Sequence, residues 1–416
     1  MPDFFFSGYN NIFRFLLLMI RDISVILRKI QRAKADRRLA ALFLDWKRSL
    51  EKLPVPRRKD GAKRLLLIRL DDIGDYLLFR NFLPAYKQSA AWSQYEITFL
   101  GNGVVKPLFD MLDQSFADNA IWVDKKHYFN NADYRNELWQ QLRNGQFDVV
   151  INPSRTRPLL LDDICMLAAG APDSRAAGNT FKNPYINSLS DQCYKQLFKN
   201  DPVLHEFDFN KAFVKWSTGI EWNICRPEIK RTGSGPLIET PYILLCIGAA
   251  HKSRRWPVSQ WVRFVQFIQQ NSLPKAVIAG STADAALAAD IEKMTGAINI
   301  TGKTTLTEVI GWMENADAAV CNDSMAAHLA ISCNTPVIIV SGGNNYPRFT
   351  TYEEAGIKNA KTVYAKPFLK KWKANKQQPF WHYTPVTRDL STVSAEEVFA
   401  ALHKLLKHQP VEGPSS

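Results

Sequence analysis

The chain has 416 residues with the composition of an ordinary globular protein, too many for one core and suited to two or three domains. Its six cysteines are scattered, with no Cys-x-x-Cys pair and no Cys/His zinc spacing, which argues against a zinc module and points to buried free thiols in a reducing compartment. The net charge of +13 is uneven: residues 1–64 hold 16 Lys/Arg against 6 Asp/Glu, and the rest shows no basic stripe or nucleic-acid signature, so no nucleic-acid partner is expected.

From Phe4 to Ile30 the chain is rich in Phe, Leu and Ile, but Arg14, Arg21, Asp22, Arg28 and Lys29 interrupt it. No uncharged run approaches the roughly 20 residues of a membrane span, and arginines within the apolar stretch argue against a signal peptide. Helical spacing places Phe13, Leu16, Leu17, Ile20, Ile23, Leu27 and Ile30 near one face and Arg14, Arg21, Arg28 and Arg32 elsewhere. That pattern suits a helix within residues 1–50 lying in a membrane surface with anionic lipid nearby; the alternative is a helix packed on the protein's own body. Residues 54–61, with two prolines and a glycine, read as a linker.

From Arg64 onward, strand-like runs alternate with helical ones, the signature of parallel α/β architecture. Strands are expected near Leu65–Arg69, Glu96–Leu100, Ala120–Val123 and Phe147–Asn152, with helices near Asp75–Gln88, Val104–Leu112 and Ala132–Asn144. An irregular connection over about Phe181–Glu239 follows. A second series has strands near Tyr242–Ile247, Ala276–Ala279, Ile298–Ile300, Ala318–Cys321 and Val337–Val340. Its helices fall near Val258–Gln270, Ala283–Met294, Thr305–Asn315 and Ser324–Ser332, and Ser394-Ala-Glu-Glu397 is a capping-box start for a last helix. The expected division is a basic helical extension over 1–60, a first Rossmann-like domain over 61–235 and a second over 236–416, facing each other across a cleft.

Three turns carry chemistry. After the first strand, Asp71, Asp72, Gly74 and Asp75 crowd one turn. Each carboxylate singly is an ordinary helix cap, but three together repel one another. Gly74 permits close approach of a ligand, and Asp75 beyond it is placed to take a proton from an attacking hydroxyl. After the Tyr242 strand, Gly248-Ala-Ala250 lets backbone approach a phosphate, and His251, Lys252, Arg254 and Arg255 supply cationic donors before Trp256-Pro257. After the Ala318 strand, Asn322 and Asp323 stand at the strand's carboxyl end and Ser324 opens a helix whose first N–H groups make an anion site. A carboxylate beside such a site suits a nucleotide diphosphate carrying a sugar. Gly302-Lys303-Thr304 is not a phosphate loop of the Walker type, because Ala297 stands where that loop needs glycine.

These segments together, roughly Arg64 to Phe349, resemble glycosyltransferase family 9, the family of the ADP-heptose:lipopolysaccharide heptosyltransferases. The resemblance rests on Leu67-Ile-Arg-Leu-Asp-Asp-Ile-Gly-Asp75 with Leu83-Pro84, on Arg254-Arg-Trp-Pro257, and on Asn322-Asp-Ser-Met-Ala-Ala-His-Leu-Ala330 with Thr335-Pro-Val337. It implies an α/β GT-B fold and an inverting, metal-independent transfer without a cofactor. The sugar, heptose among the candidates, would move from a nucleotide-diphosphate donor to a lipopolysaccharide core or related lipid-linked saccharide at the cytoplasmic face of the inner membrane. By the same likeness Asp75 is the general base and Asp71, Asp72 and Gly74 lie on the acceptor side. Gly248 and Arg254 hold the diphosphate, and amides around Ser324, Met325 and Ala326 receive the leaving phosphate. Asp323 contacts the donor sugar, His328 supports its loop, and Asp284 is a ribose-binding candidate. Met325 stands where the family usually has glycine. Two other readings use the same residues: a catalytically degenerate membrane-associated binding module, and another nucleotide-sugar enzyme such as an epimerase.

Overall fold

The computed structural model describes residues 30–56, 60–180, 183–199, 204–233, 241–375, 387 and 389–407. Among the described residues, the strands, all parallel where their register is defined, form two six-stranded sheets. The first contains β1 (Lys63–Arg69), β2 (Tyr95–Asn102), β3 (Asn119–Val123), β4 (Val149–Asn152), β5 (Asp173–Ala177) and β6 (Gln196–Phe198), ordered β3-β2-β1-β4-β5-β6. The second contains β7 (Tyr242–Cys246), β8 (Lys275–Ala279), β9 (Ile298–Asn299), β10 (Ala318–Asn322), β11 (Val337–Ser341) and β12 (Ala360–Tyr364), ordered β12-β11-β10-β7-β8-β9. This is the expected α/β architecture of two doubly wound parallel sheets.

The chain divides into two compact units, one of Met1–Gly61 with Asn131–Leu197 and one of Ala62–Asn130 with Phe198–Ser416. In the first unit, the helix over 30–51 buries Ala40, Phe43 and Leu50 on one face. It packs on helix Ala132–Asn144, where Trp46 meets Trp139 edge-on at 5.6 Å and the Arg135 guanidinium lies 4.4 Å from the Trp46 ring. The described part of the extension therefore packs on its own unit. Residues 1–29, which carry most of the proposed lipid-facing stripe, lie outside the described residues. Among those described, no helix is long and apolar enough to cross a membrane.

In the second unit, the central strands β7, β10 and β11 of the second sheet are buried on both faces, as parallel strands with helices on both sides must be, while the edge strands β9 and β12 are partly exposed. Alternate residues Ile243, Leu245, Ile278, Val320 and Ile338 join Trp261, Phe264 and Val265 of helix Val258–Gln270 and Val398 and Leu402 of helix Ala395–Lys407 in one core. The last helix starts with the anticipated reciprocal cap: Glu397 accepts the Ser394 N–H at 2.9 Å and Ser394 accepts the Glu397 N–H at 3.2 Å.

Three features depart from the sequence reading. The helix expected over Asp75–Gln88 is broken into Ile73–Leu77 and Leu83–Gln88, with Pro84 in the first turn of the second piece. The connection expected to be irregular contains helices Pro184–Asp191 and Glu206–Thr218. Strands β5, β6 and β12 were not anticipated.

Candidate active site

The site lies entirely in the second unit. The carboxyl ends of β1, β7, β8 and β10 open on one cavity of about 1350 Å³, lined among others by Asp72, Gly74, Asp75, Gly248, Arg254, Asp284, Asp323, Ser324, Met325, Ala326 and His328. Binding at the carboxyl ends of parallel strands follows from the way helix starts and loops converge there.

β10 delivers the anion-ready element. Its last residue, Asn322, is fully buried and used structurally: its amide donates to the Ile247 carbonyl at 2.7 Å and its oxygen accepts the Trp256 N–H at 3.0 Å. Those bonds clamp β10 to the loop after β7. Helix Met325–Ser332 then starts from an extended Ser324 whose side chain makes no cap bond. The first amides of the helix are thus left uncapped by side chain at the cavity wall, partly positive and aimed outward. Met325, in place of the usual glycine, also lines this wall.

Arg254 also lines the cavity, its Nη1 donating to the Asp323 carbonyl at 3.1 Å. A cationic side chain is thereby tied to the loop that precedes the helix start. The Asp323 carboxylate accepts the Ser341 hydroxyl at 2.9 Å. Burial pushes that carboxyl above its usual range, while Arg254, Ser341 and Asn345 oppose the shift.

Gly248 and Asp284 belong together. A side chain on Gly248 would meet Asp284 Oδ2 at 2.6 Å, so only glycine lets the β7 loop lie against that carboxylate. Asp284 accepts the Ser281 N–H at 3.0 Å and its hydroxyl at 2.7 Å, and faces Arg255 Nη2 at 3.4 Å. Arg255 is bound on both sides, since its Nε donates to the Ala249 carbonyl at 3.0 Å. It braces the Gly248–Ala250 loop instead of decorating the surface.

The three turn carboxylates have separate fates. Asp71 pairs with Arg69 Nε at 3.0 Å and does not line the cavity. Asp72 lines the cavity and pairs with Lys125 at 2.9 Å from a largely exposed position. Asp75 lines the cavity with one-fifth of its side chain exposed, and Oδ1 accepts from Arg348 Nη2 at 3.2 Å. Burial pushes the Asp75 carboxyl above the usual range; Arg348 pulls it back, Glu206 pushes it further, and Arg69 and Asp72 add smaller opposed effects.

His328 joins the two halves of the site. A Cβ on Gly74 would lie 2.8 Å from His328 Cδ2 and 3.6 Å from the Met325 Cα. Helix Ile73–Leu77, which carries Asp75, therefore rests directly on the helix that presents the amides. The His328 ring is held by a hydrogen bond between Nδ1 and the Tyr352 hydroxyl and by an edge contact with Phe349. Burial pushes its pKa down to about 3, so the imidazole is neutral at ordinary pH.

Three site residues escaped the sequence reading. Glu206, fully buried at the start of helix Glu206–Thr218, accepts from Arg348 Nε at 2.7 Å and Nη2 at 2.9 Å. Arg348 is buried, and Arg69, fully buried at the end of β1, donates from Nη2 to the Asp75 carbonyl at 3.1 Å. Among the described residues, no group of three or more His, Cys, Asp or Glu is placed to hold a metal ion.

Comparison with known proteins agrees with this architecture. Residues 183–380 match the model of glycosyltransferase family 9 (heptosyltransferase). The lipopolysaccharide core heptosyltransferase OpsX of Haemophilus influenzae is 22% identical over 365 residues, 84% of this chain and 99% of that protein. Lipooligosaccharide heptosyltransferase 2 of the same organism is 29% identical over 119 residues, 27% of this chain and about a third (34%) of that relative. The solved structure of a glycosyl transferase family 9 protein from Veillonella parvula superimposes with a TM-score of 0.64 at 20% identity, over 83% of this chain and 98% of that one. Fold and sequence together define a glycosyltransferase with a GT-B-like architecture. Within that class, residues 183–380 carry the match to family 9, and the chain is similar to heptosyltransferases.

Proposed function

We propose that the protein is an inverting, metal-independent transferase that moves a sugar, heptose being the first candidate, from a nucleotide diphosphate to a lipopolysaccharide core or related lipid-linked glycan. The observation that carries this reading is the shared cavity: Asp75 and the cationic group of Arg254 with the helix start at Ser324–Ala326 line one space.

In this reaction, Asp75 takes the proton of an acceptor hydroxyl. The oxygen attacks the anomeric carbon from the face opposite the diphosphate, and the bond between that carbon and the phosphate oxygen breaks. The negative charge that builds on the leaving group is received by Arg254 and the amides of Met325 and Ala326. Fixed donors at the point where charge develops lower the barrier without reorganising. Residues 61–235 would present the acceptor and 236–416 the donor. Asp323 would meet the donor sugar, and Asp284, braced against Gly248, the ribose. Asp72 and Gly74 border the acceptor side, with Asp71 set back behind Arg69. Residues 1–50, most basic of the chain, would bring the enzyme to the anionic inner leaflet from the cytoplasm.

The test is Asp75→Asn assayed with ADP-heptose and a lipopolysaccharide core acceptor in the presence of EDTA. Loss of a positioned base costs about 100- to 10,000-fold in turnover, while donor binding should persist. Wild-type turnover by the variant, or a strict divalent-ion requirement in the unaltered enzyme, would overturn the reading.

A further inference from the structure

We propose that Arg348 is a positioning residue: seated on Glu206, it binds one carboxylate oxygen of Asp75 and leaves the other directed to the cavity. The inference rests on the reading of Asp75 as the base.

The geometry is that of a two-sided clamp. Glu206 and Arg348 are joined three times, by the fork of Arg348 Nε and Nη2 on the two glutamate oxygens at 2.7 and 2.9 Å and by the Glu206 N–H on the Arg348 carbonyl at 2.9 Å. A planar guanidinium gripped in this way has little freedom left. Its Nη2 carries two hydrogens, and besides Glu206 it reaches Asp75 Oδ1 at 3.2 Å. From the other side, Arg69 holds the Asp75 carbonyl at 3.1 Å and lies 3.9 Å from Glu206 Oε1. Arg69 itself is held by Asp71 at 3.0 Å and lies 4.7 Å from the Phe79 ring. Backbone and carboxylate of Asp75 are thus referenced to one buried glutamate.

A purely structural ion pair would be complete with Glu206 and Arg348 alone. The reach to Asp75 makes the pair act on the group that lines the cavity. It also sets the charge balance. Arg69 and Arg348 face Glu206, Asp71 and the Asp75 carboxyl, with Asp72 at the rim and the neutral ring of His328 packed behind Gly74. Without the Arg348 cation, Asp75 loses the guanidinium at 3.2 Å and holds its proton more tightly.

Arg348→Lys separates aim from charge. It keeps the cation but cannot grip Glu206 and Asp75 together, so kcat should fall about 100-fold with donor KM unchanged, the cost of misplacing a reacting group by about 1 Å. Arg348→Gln alone would strand a buried Glu206 and could prevent folding, so the neutral pair Arg348→Gln/Glu206→Gln replaces it. In that variant, the acid limb of kcat should move to higher pH, because the guanidinium touches Asp75 directly while Glu206 is bonded to that guanidinium. A role in folding alone would lower Tm and leave the limb in place. The same pair is read without substrate by the carboxyl carbon-13 resonance of Asp75, assigned with Asp75→Asn, which should titrate at higher pH than in the unaltered protein. Wild-type kcat in Arg348→Lys, or an unmoved Asp75 resonance in the neutral pair, would overturn the inference. If Asp75→Asn turns over normally, the base assignment fails by itself, and the resonance still reports whether Arg348 holds that carboxylate.

Discussion

Replacing Gly74 with Ala tests how the two helices of the site are coupled. The added Cβ would stand 2.8 Å from His328 Cδ2, 3.4 Å from Nε2 and 3.6 Å from the backbone of Met325. Ordinary carbon–carbon contact begins near 3.5 Å, so ring and helix must separate by about 0.7 Å or more. The ring cannot turn aside cheaply, because Tyr352 holds Nδ1 and Phe349 packs on its edge. Overfilling a packed site of this kind costs about 1–3 kcal/mol, which in a chain of this length should appear as a Tm lower by about 1–3 °C. The residue displaced with Gly74 is Asp75, so kcat should drop about 10- to 100-fold at saturating donor. Removing the obstacle in Gly74→Ala/His328→Ala should give a combined effect smaller than the sum, with a coupling of about 0.5–3 kcal/mol. Turnover and Tm are measured on the four proteins of the cycle. Wild-type kcat in Gly74→Ala, or strict additivity, would refute the packing of the base-bearing helix on His328.

Arg254→Gln removes the cation tied to the Asp323 loop and should weaken binding of a nucleotide diphosphate about 10- to 100-fold by titration calorimetry, the worth of a charge-assisted hydrogen bond. An unchanged affinity would remove Arg254 from the diphosphate site. His328 is held neutral, its pKa pushed down to about 3 from 6.5 by burial. The unfolded chain therefore binds an extra proton below about pH 6.5, and the stability contributed by this residue, complete above that pH, is lost progressively as pH falls towards 3. His328→Gln should flatten the fall of Tm between about pH 6.5 and 5; an equally steep fall would contradict the burial of a neutral ring.

Much of the architecture was legible because β1, β7, β10 and β11 are apolar runs closed by polar turns, and parallel strands buried on both faces must read that way. β5 escaped because Asp173-Ser-Arg-Ala-Ala177 has no β-branched or aromatic residue. The broken helix after Asp75 was half visible, since Pro84 is a poor interior residue and a good first-turn residue. Asp75, Arg254, Asp323 and Ser324 could be located because each lies in the segment that leads from the end of an apolar strand into the next helix. Glu206 and Arg348 could not: they are 142 positions apart, and only folding brings them together. A weak signal did exist, since His205 caps the helix and Glu206 and Asp208 crowd its first turn, as helix starts prefer. Arg348 follows a proline in a loop and has no local pattern at all.

The most direct measurement is a crystal structure of the protein soaked with a slow-reacting fluorinated nucleotide sugar. We expect the diphosphate on Arg254 and the amides of Met325 and Ala326, with the anomeric carbon open to an acceptor oxygen hydrogen-bonded to Asp75. A diphosphate bound away from the start of helix Met325–Ser332, or a sugar whose reactive face is turned from Asp75, would contradict the proposed chemistry.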